Sequence, residues 1–178
     1  HAVGKDALGI TVSTPYTPKK EVNETAALAE TIGANHIVVD VPFPEEIRRN
    51  PLDRCYLCKK KLFHAISQAA RKRGILTVYD GSNRDDLKDY RPGLKALSEL
   101  EITSPLLELG FTKQDIRNAL HDLGLPIWQK PASACLLSRL PYDTEVTQEE
   151  LIRVDKAENY LKGNGINQVR VRSYGDSA

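Results

Sequence analysis

Cys55 and Cys58 stand in Arg54-Cys55-Tyr56-Leu57-Cys58-Lys59-Lys60, and a two-residue gap lets both sulfurs face one centre. The spacing places the pair just before or on the first turn of a helix, where the positive helix end and the flanking cations favour thiolates. Redox pairs, half of a zinc site, cluster ligands and thiols that simply pack all share this spacing. Cys135, in Lys130-Pro131-Ala132-Ser133-Ala134-Cys135-Leu136-Leu137-Ser138-Arg139, lies far from the pair in sequence. If it folds back, three thiolates converge and a fourth coordination position stays open. A structural zinc site fills that position with cysteine or histidine. His36, His64 and His121 fall within predicted strand or helix and His1 is at the ragged end, so an iron–sulfur cluster on three cysteines with one open iron is a serious reading.

Two further constellations could bind ligands. Ligands of an open parallel sheet bind beyond the carboxyl ends of its strands. Ser13-Thr14-Pro15 and Asp80-Gly81-Ser82-Asn83 follow predicted strands in that way, although such loops are also ordinary turns. Neither a G-x-x-x-x-G-K-[ST] loop nor a G-x-G-x-x-G loop occurs. Arg170 and Arg172 alternate on one side of a predicted strand, and Arg139 follows the Cys135 loop. Three guanidinium groups suit bidentate capture of phosphate or carboxylate, and solvated surface charge is the alternative.

The elements that must position these residues can be read from periodicity. Strands are expected at Ala7–Val12, His36–Val41, Ile75–Tyr79 and Gln168–Ser173. Helices are expected from Glu21 to Ile32, from about Lys59 to Arg73, from Thr112 towards Gly124 and, behind a Thr147/Glu150 capping box, to Gly163. Strand, helix and strand in that order predict parallel pairing with a right-handed crossover. Ser82 to Pro92, dense in charge and turn residues, reads as a long functional loop.

Composition narrows the class. The 178 residues are 40% hydrophobic and 28% charged, with no bilayer-length apolar run and no signal-peptide pattern, so a soluble cytoplasmic protein is the default expectation. Lys and Arg number 25 against 24 Asp and Glu, which gives no basic field for nucleic acid. Three cysteines without a secretory pattern argue against a disulfide framework. A chain that begins at His1 and contains no methionine is expected to be a piece of a longer one.

With these residues in hand, the chain resembles the LarE family of the PP-loop ATP pyrophosphatase superfamily, the sulfur transferases that build the nickel-pincer cofactor. The resemblance rests on Asn50-Pro51-Leu52-Asp53-Arg54-Cys55-Tyr56-Leu57-Cys58-Lys59, Asp80-Gly81-Ser82-Asn83-Arg84-Asp85-Asp86, Asp89-Tyr90-Arg91-Pro92-Gly93-Leu94-Lys95, the Lys130–Arg139 stretch and Val169-Arg170-Val171-Arg172, in family order over nearly the whole chain. It implies an α/β fold: a parallel sheet flanked by helices, Rossmann-like, with a small C-terminal α+β part. It further implies a PP-loop core over residues 1–125 and a substrate-binding and sulfur-transfer part over 126–178. The family's S-G-G-x-D-S phosphate loop does not occur in these residues, so the ATP step is expected to need more chain than this.

The implied reaction uses ATP with Mg²⁺ to adenylate a carboxylate of a pyridinium dicarboxylate mononucleotide, after which sulfur displaces AMP to leave a thiocarboxylate. Val12, Ser13, Thr14 and Gly81 are implied around the nucleotide, with Asp80 and Ser82 on the same loop. Ser138, Arg139, Glu158, Arg170 and Arg172 are implied around the substrate. Some family members spend the sulfur of a single cysteine, at the position of Ala134 here, whereas others carry three cysteines suited to a [4Fe–4S] cluster. Cys55, Cys58 and Cys135 fit the second pattern, as metal ligands and as the catalytic sulfurs. A homo-oligomer is also implied, since family members assemble. The rival readings are sacrificial transfer from Cys135, a tRNA-thiolating PP-loop enzyme and a non-catalytic zinc-binding module.

Overall fold

The computed structural model describes residues 4–88, 92–166 and 168–175. Strand β1 (Leu8–Ser13) and strand β2 (Asn35–Asp40) pair in parallel, Leu8 opposite Asn35 through Ser13 opposite Asp40. Helix α1 (Lys19–Thr31) makes the crossover between them, as the strand–helix–strand order predicts. Gly33, at φ 64°, takes the left-handed conformation that ends α1, where a side chain is disfavoured. The fold is α/β, with helices flanking a parallel sheet.

Helix α2 (Arg54–Arg71) begins five residues before the position expected from apolar periodicity, so Cys55 and Cys58 lie within its first two turns. The polar start Arg54-Cys55-Tyr56 hides that helix end from a periodicity argument. Helices α3 (Pro92–Glu99) and α4 (Pro105–Glu108) follow, and α3 packs against α2. Helix α5 (Lys113–Asp122) starts on the Thr112 cap, whose hydroxyl accepts the Asp115 amide while Asp115 accepts the Thr112 amide. In α6 (Gln148–Gly163) the Thr147 hydroxyl accepts the Glu150 amide in the same manner.

Two expected strands take another form. At Ile75–Tyr79 the pairing reduces to one parallel bridge, Tyr79 with Thr103, and Leu76 is 83% exposed. Gln168–Ser173 forms no ladder among the described residues. Its alternation survives, with Arg170 and Arg172 exposed and Val169 and Val171 half-buried, but its backbone is held by side chains and loops. The Val171 amide donates to the Glu158 carboxylate (3.1 Å), and the Ser173 amide to the Arg139 carbonyl (2.9 Å). Within the expected Ser82–Pro92 loop, Arg84–Lys88 winds as a 3-10 turn. Asp89, Tyr90 and Arg91 of the matching stretch, and His1, lie outside the described residues.

The best-buried apolar cluster contains no strand residue and packs against two of the cysteines. Tyr16, Ile47, Leu136, Leu137, Leu140, Val146, Leu151 and Val154 form it, and Cys58, Cys135, Leu57 and Phe43 pack against it. Residues from both sides of position 125 therefore share one core, and burying each large side chain contributes about 1.5–3 kcal/mol. Among the described residues no helix is long and apolar enough to cross a membrane.

Candidate functional site

Asn50 sets the geometry of the cysteine region. It is completely buried and has φ 49°, a left-handed conformation that asparagine tolerates better than most side chains. Its Nδ2 donates to the carbonyls of Leu137 (3.2 Å), Leu140 (3.1 Å) and Pro141 (2.8 Å). Alongside it, the Val146 amide bonds the Arg48 carbonyl (2.9 Å) and the Leu136 amide bonds the Tyr16 carbonyl (3.0 Å). These bonds fasten the segment entering α2 to the 3-10 turn after Cys135, Leu136–Arg139.

The result is one cavity of about 540 Å³ whose wall contains Cys55, Cys58 and Cys135 together with Arg54, Lys59 and Ser82. Cys55 is exposed, whereas Cys58 and Cys135 are half-buried. Burial, partly offset by the Tyr16 hydroxyl and reinforced by the neighbouring sulfurs, pushes the Cys58 thiol up to about 11. Cys135 is also pushed up, by burial and then by Cys55, against the opposing effects of the Ser138 amide and Arg54. Both thiols are therefore largely protonated at neutral pH, so metal binding at them must displace protons.

Tyr16 is a site residue that sequence reasoning missed. It follows the Ser13-Thr14-Pro15 loop, is 2% exposed, and its hydroxyl lies 3.1 Å from Cys58 Sγ. Burial, then the contact with Cys58, raises its own ionisation well above the usual phenol range, so it remains a hydroxyl beside that sulfur. Its ring meets Phe43 edge-on at 5.3 Å. The only sequence signal was a bulky aromatic after a strand-end turn, which is not distinctive.

The expected nucleotide residues fall in more than one place. Ser82 lines the cysteine cavity, whereas Ser13 and Thr14 line a second cavity of about 340 Å³ that also touches Leu136. Thr14 is buried, its hydroxyl 2.8 Å from that of Thr17. Val12 is half-buried at the end of β1 and lines neither cavity. Gly81 is exposed with open space where a Cβ would point. Asp80 accepts from the Ser82 amide (3.1 Å), the Ser82 hydroxyl (2.7 Å) and the Ser104 hydroxyl, with Lys59 at 3.5 Å. Burial alone pushes its carboxyl up, but those donors and Lys59 outweigh burial and leave it below the usual carboxylate range.

Arg139 and Glu158 form a buried ion pair, 4% and 3% exposed, with Nε–Oε1 at 2.7 Å and Nη2–Oε2 at 3.1 Å. Arg139 Nη1 donates to the carbonyls of Ala134 (2.9 Å) and Cys135 (3.0 Å) and to the Ser138 hydroxyl (2.8 Å). Nη1 thus holds the Cys135 loop, while Nε and Nη2 tie it to Glu158 on α6. Arg139 also borders a third cavity of about 830 Å³, together with Arg170, Lys130 and Lys162; Arg172 is exposed and is not part of that wall. Lys130 is already held by Glu21 (2.7 Å) and Glu24 (2.6 Å).

Among the described residues, no group of three His, Cys, Asp or Glu side chains is placed to hold a single metal ion. His36 bonds Thr11 (2.9 Å), His64 bonds Gln68 (3.0 Å) and His121 meets Trp128 edge to face at 5.0 Å, all outside the cysteine cavity. What fits a larger anionic group is the cavity itself, with three sulfurs and a buried arginine, Arg54, whose Nε and Nη1 have no acceptor among the described residues.

No family model matches the chain. An uncharacterized protein of Synechocystis sp. is 44% identical over 174 residues, which cover 96% of this chain and 65% of that protein. The pyridinium-3,5-bisthiocarboxylic acid mononucleotide synthase of Lactiplantibacillus plantarum is 38% identical over 161 residues, 89% of this chain and 58% of the synthase. An uncharacterized protein of Methanocaldococcus jannaschii is 32% identical over 169 residues, 95% of this chain and 65% of that protein. The chain thus spans 58% to 65% of the length of these curated relatives.

Proposed function

Because the chain belongs to the LarE family, we propose that it forms the sulfur-transfer part of an ATP-dependent enzyme that converts a carboxylate of a pyridinium dicarboxylate mononucleotide into a thiocarboxylate. The observation that carries this reading is the convergence of Cys55, Cys58 and Cys135 on one cavity that also contains Ser82 from the Asp80 loop. In the proposed sequence a carboxylate oxygen attacks the α-phosphorus of Mg²⁺-bound ATP and pyrophosphate leaves. A sulfur nucleophile then attacks the acyl carbon, and AMP departs with the electron pair of the broken C–O bond.

The residues that would hold a [4Fe–4S] cluster are Cys55, Cys58 and Cys135, and such a group supplies an open iron for an additional sulfide. Around them Tyr16 steadies Cys58, and the Arg139–Glu158 pair holds the Cys135 carbonyl so that the thiol faces the cavity. Ser13, Thr14 and the Asp80-Gly81-Ser82 loop are proposed for the nucleotide. Arg170, which borders the third cavity with Ser133 and Arg139, and the exposed Arg172 are proposed for the phosphate of the substrate. In this reading the division near residue 125 is one of role, nucleotide handling before it and sulfur delivery after it.

The test is anaerobic reconstitution of the full-length protein, with iron, sulfide and zinc analysis and a single-turnover assay. Replacing any one of the three cysteines by Ser is expected to remove the cluster and sulfur transfer together. A mass loss of about 34 Da confined to Cys135 after turnover would replace this reading with sacrificial transfer. Zinc in place of iron, with activity unaffected by loss of the cysteines, would make the site structural.

A further inference from the structure

Arg54, the first residue of α2, carries a buried guanidinium to which the proposed reaction gives no task. The residue is 7% exposed, and its Nε and Nη1 are sealed from solvent without an acceptor among the described residues. Among those residues no carboxylate pairs with it. The other charged side chains of the cavity wall are Lys59 and Asp86, and both are engaged elsewhere. Lys59 faces Asp80 at 3.5 Å, while Asp86 accepts from the Asn83 amide (2.9 Å) and from the Asn83 side chain (3.1 Å). The Tyr142 ring lies over the guanidinium, 4.3 Å from Cζ, but a π face attracts the cation without accepting its in-plane N–H bonds. A cation kept in this way is costly unless negative charge is supplied nearby.

The sulfurs of the same wall can supply it. Arg54 shares the cavity with Cys55, Cys58 and Cys135. Burial pushes the Cys135 thiol up, and Arg54 is among the groups that oppose it, so the field of the guanidinium reaches that sulfur. While the thiols keep their protons, Arg54 has no sulfur anion to balance. Ligation of a metal group removes those protons and leaves three thiolates in a cavity where charges act on one another more strongly than in water. Compensation then works through space and needs no contact with the sealed N–H bonds.

We propose that Arg54 is the charge-compensating residue of the three-cysteine centre: its guanidinium, stacked on Tyr142, offsets the negative charge that the thiolates acquire as cluster ligands, and thereby retains the cluster and raises its reduction potential. Reduction adds a further negative charge, which a fixed neighbouring cation favours. The proposal rests on the cluster-borne reading of sulfur transfer, and it gives Arg54 no contact with nucleotide or substrate.

The test is a redox titration of the anaerobically reconstituted full-length protein, after its iron and sulfide have been counted. Arg54→Met keeps an unbranched apolar stem and removes the charge. Its cluster is expected to have a lower potential than that of the wild type and to lose iron to a chelator about tenfold faster. Arg54→Lys keeps the charge and should restore most of the potential. Tyr142→Ala covers the case in which the Arg54 variants fail to fold, since Tyr142 is 50% exposed. Opening Arg54 to water screens its charge, so the potential should fall in the same direction by a smaller amount. A purely structural role for Arg54 would lower the amount of cluster loaded without moving the potential of what does load. A potential unmoved in Tyr142→Ala and in every Arg54 variant that loads overturns the proposal, as does an equal fall in Arg54→Lys and Arg54→Met. A wild type that takes up no iron overturns the cluster reading and this proposal with it, whereas a loaded wild type whose potential is indifferent to Arg54 overturns this proposal alone.

Discussion

A phenol oxygen 3.1 Å from a sulfur and one amide nitrogen shared among three carbonyls fix the cysteine site more tightly than the thiols themselves do. Tyr16→Phe keeps the ring packing and removes the hydroxyl that favours the Cys58 thiolate. The Cys58 thiol, already at about 11, is then expected to titrate higher still, shifting the midpoint of its alkylation upward in pH. An unchanged midpoint would mean that the hydroxyl does not act on that sulfur. Asn50→Ala removes three bonds and places alanine at φ 49°, which together should cost about 3 kcal/mol. Asn50→Gly loses the same bonds but tolerates the conformation, so denaturant unfolding should return about 1 kcal/mol of that loss. Equal losses would show that the backbone conformation contributes nothing.

At the scale of elements, α2 and α3 are locked by a missing side chain. A Cβ on Gly93 would stand 2.8 Å from Cδ of Lys59, the stem that carries the ammonium to Asp80. Gly93→Ala therefore has to displace a flexible lysine rather than backbone, and its effect on stability should stay below about 1 kcal/mol. The Asp80 carboxyl, held low in part by Lys59, should titrate at higher pH in the variant, as a carboxyl-carbon NMR titration would read. A titration that does not move would separate Lys59 from Asp80. Such a contact is invisible in sequence, as was α3 itself, because Pro92 and Gly93 argue against helix unless their place in its first turn is known. By contrast β1, α1, β2 and the Thr112 and Thr147 caps were legible, since each is fixed by periodicity or by residues three apart. The strand expected at Gln168–Ser173 had the right alternation, yet its backbone donors go to Glu158 and the Arg139 carbonyl.

For the whole molecule, pairings between distant segments decide which residues meet, and those lie beyond local pattern. Asn50 reaches acceptors 87 to 91 residues away. The cysteines could be named from their spacing, and their union in one cavity followed only from the resemblance, whereas the bonds of Arg139 to Glu158 and to the Cys135 loop had no local signal. The Arg139–Glu158 pair joins the Cys135 loop, α6 and the Val171 segment, so it couples overall stability to the site. Burial pushes the Glu158 carboxyl up, but the hydrogen bonds and charge of Arg139, with the Val171 amide and Lys162, outweigh it and leave the carboxyl below the usual range. A carboxyl depressed in the folded state stabilises the fold fully above its unfolded value, and that stabilisation disappears as pH falls through the depressed value. Unfolding free energy should therefore decline as the pH drops below the ordinary carboxylate range, and Glu158→Gln should flatten that decline. At neutral pH the same variant leaves Arg139 buried without its anion and should cost about 3–5 kcal/mol. It should also loosen the Cys135 loop, so Cys135 alkylation by iodoacetamide should accelerate even in conditions where the variant remains folded. If Glu158→Gln unfolds along the same pH curve as the wild type, with Cys135 equally protected, the pair is not what holds the loop against the cavity.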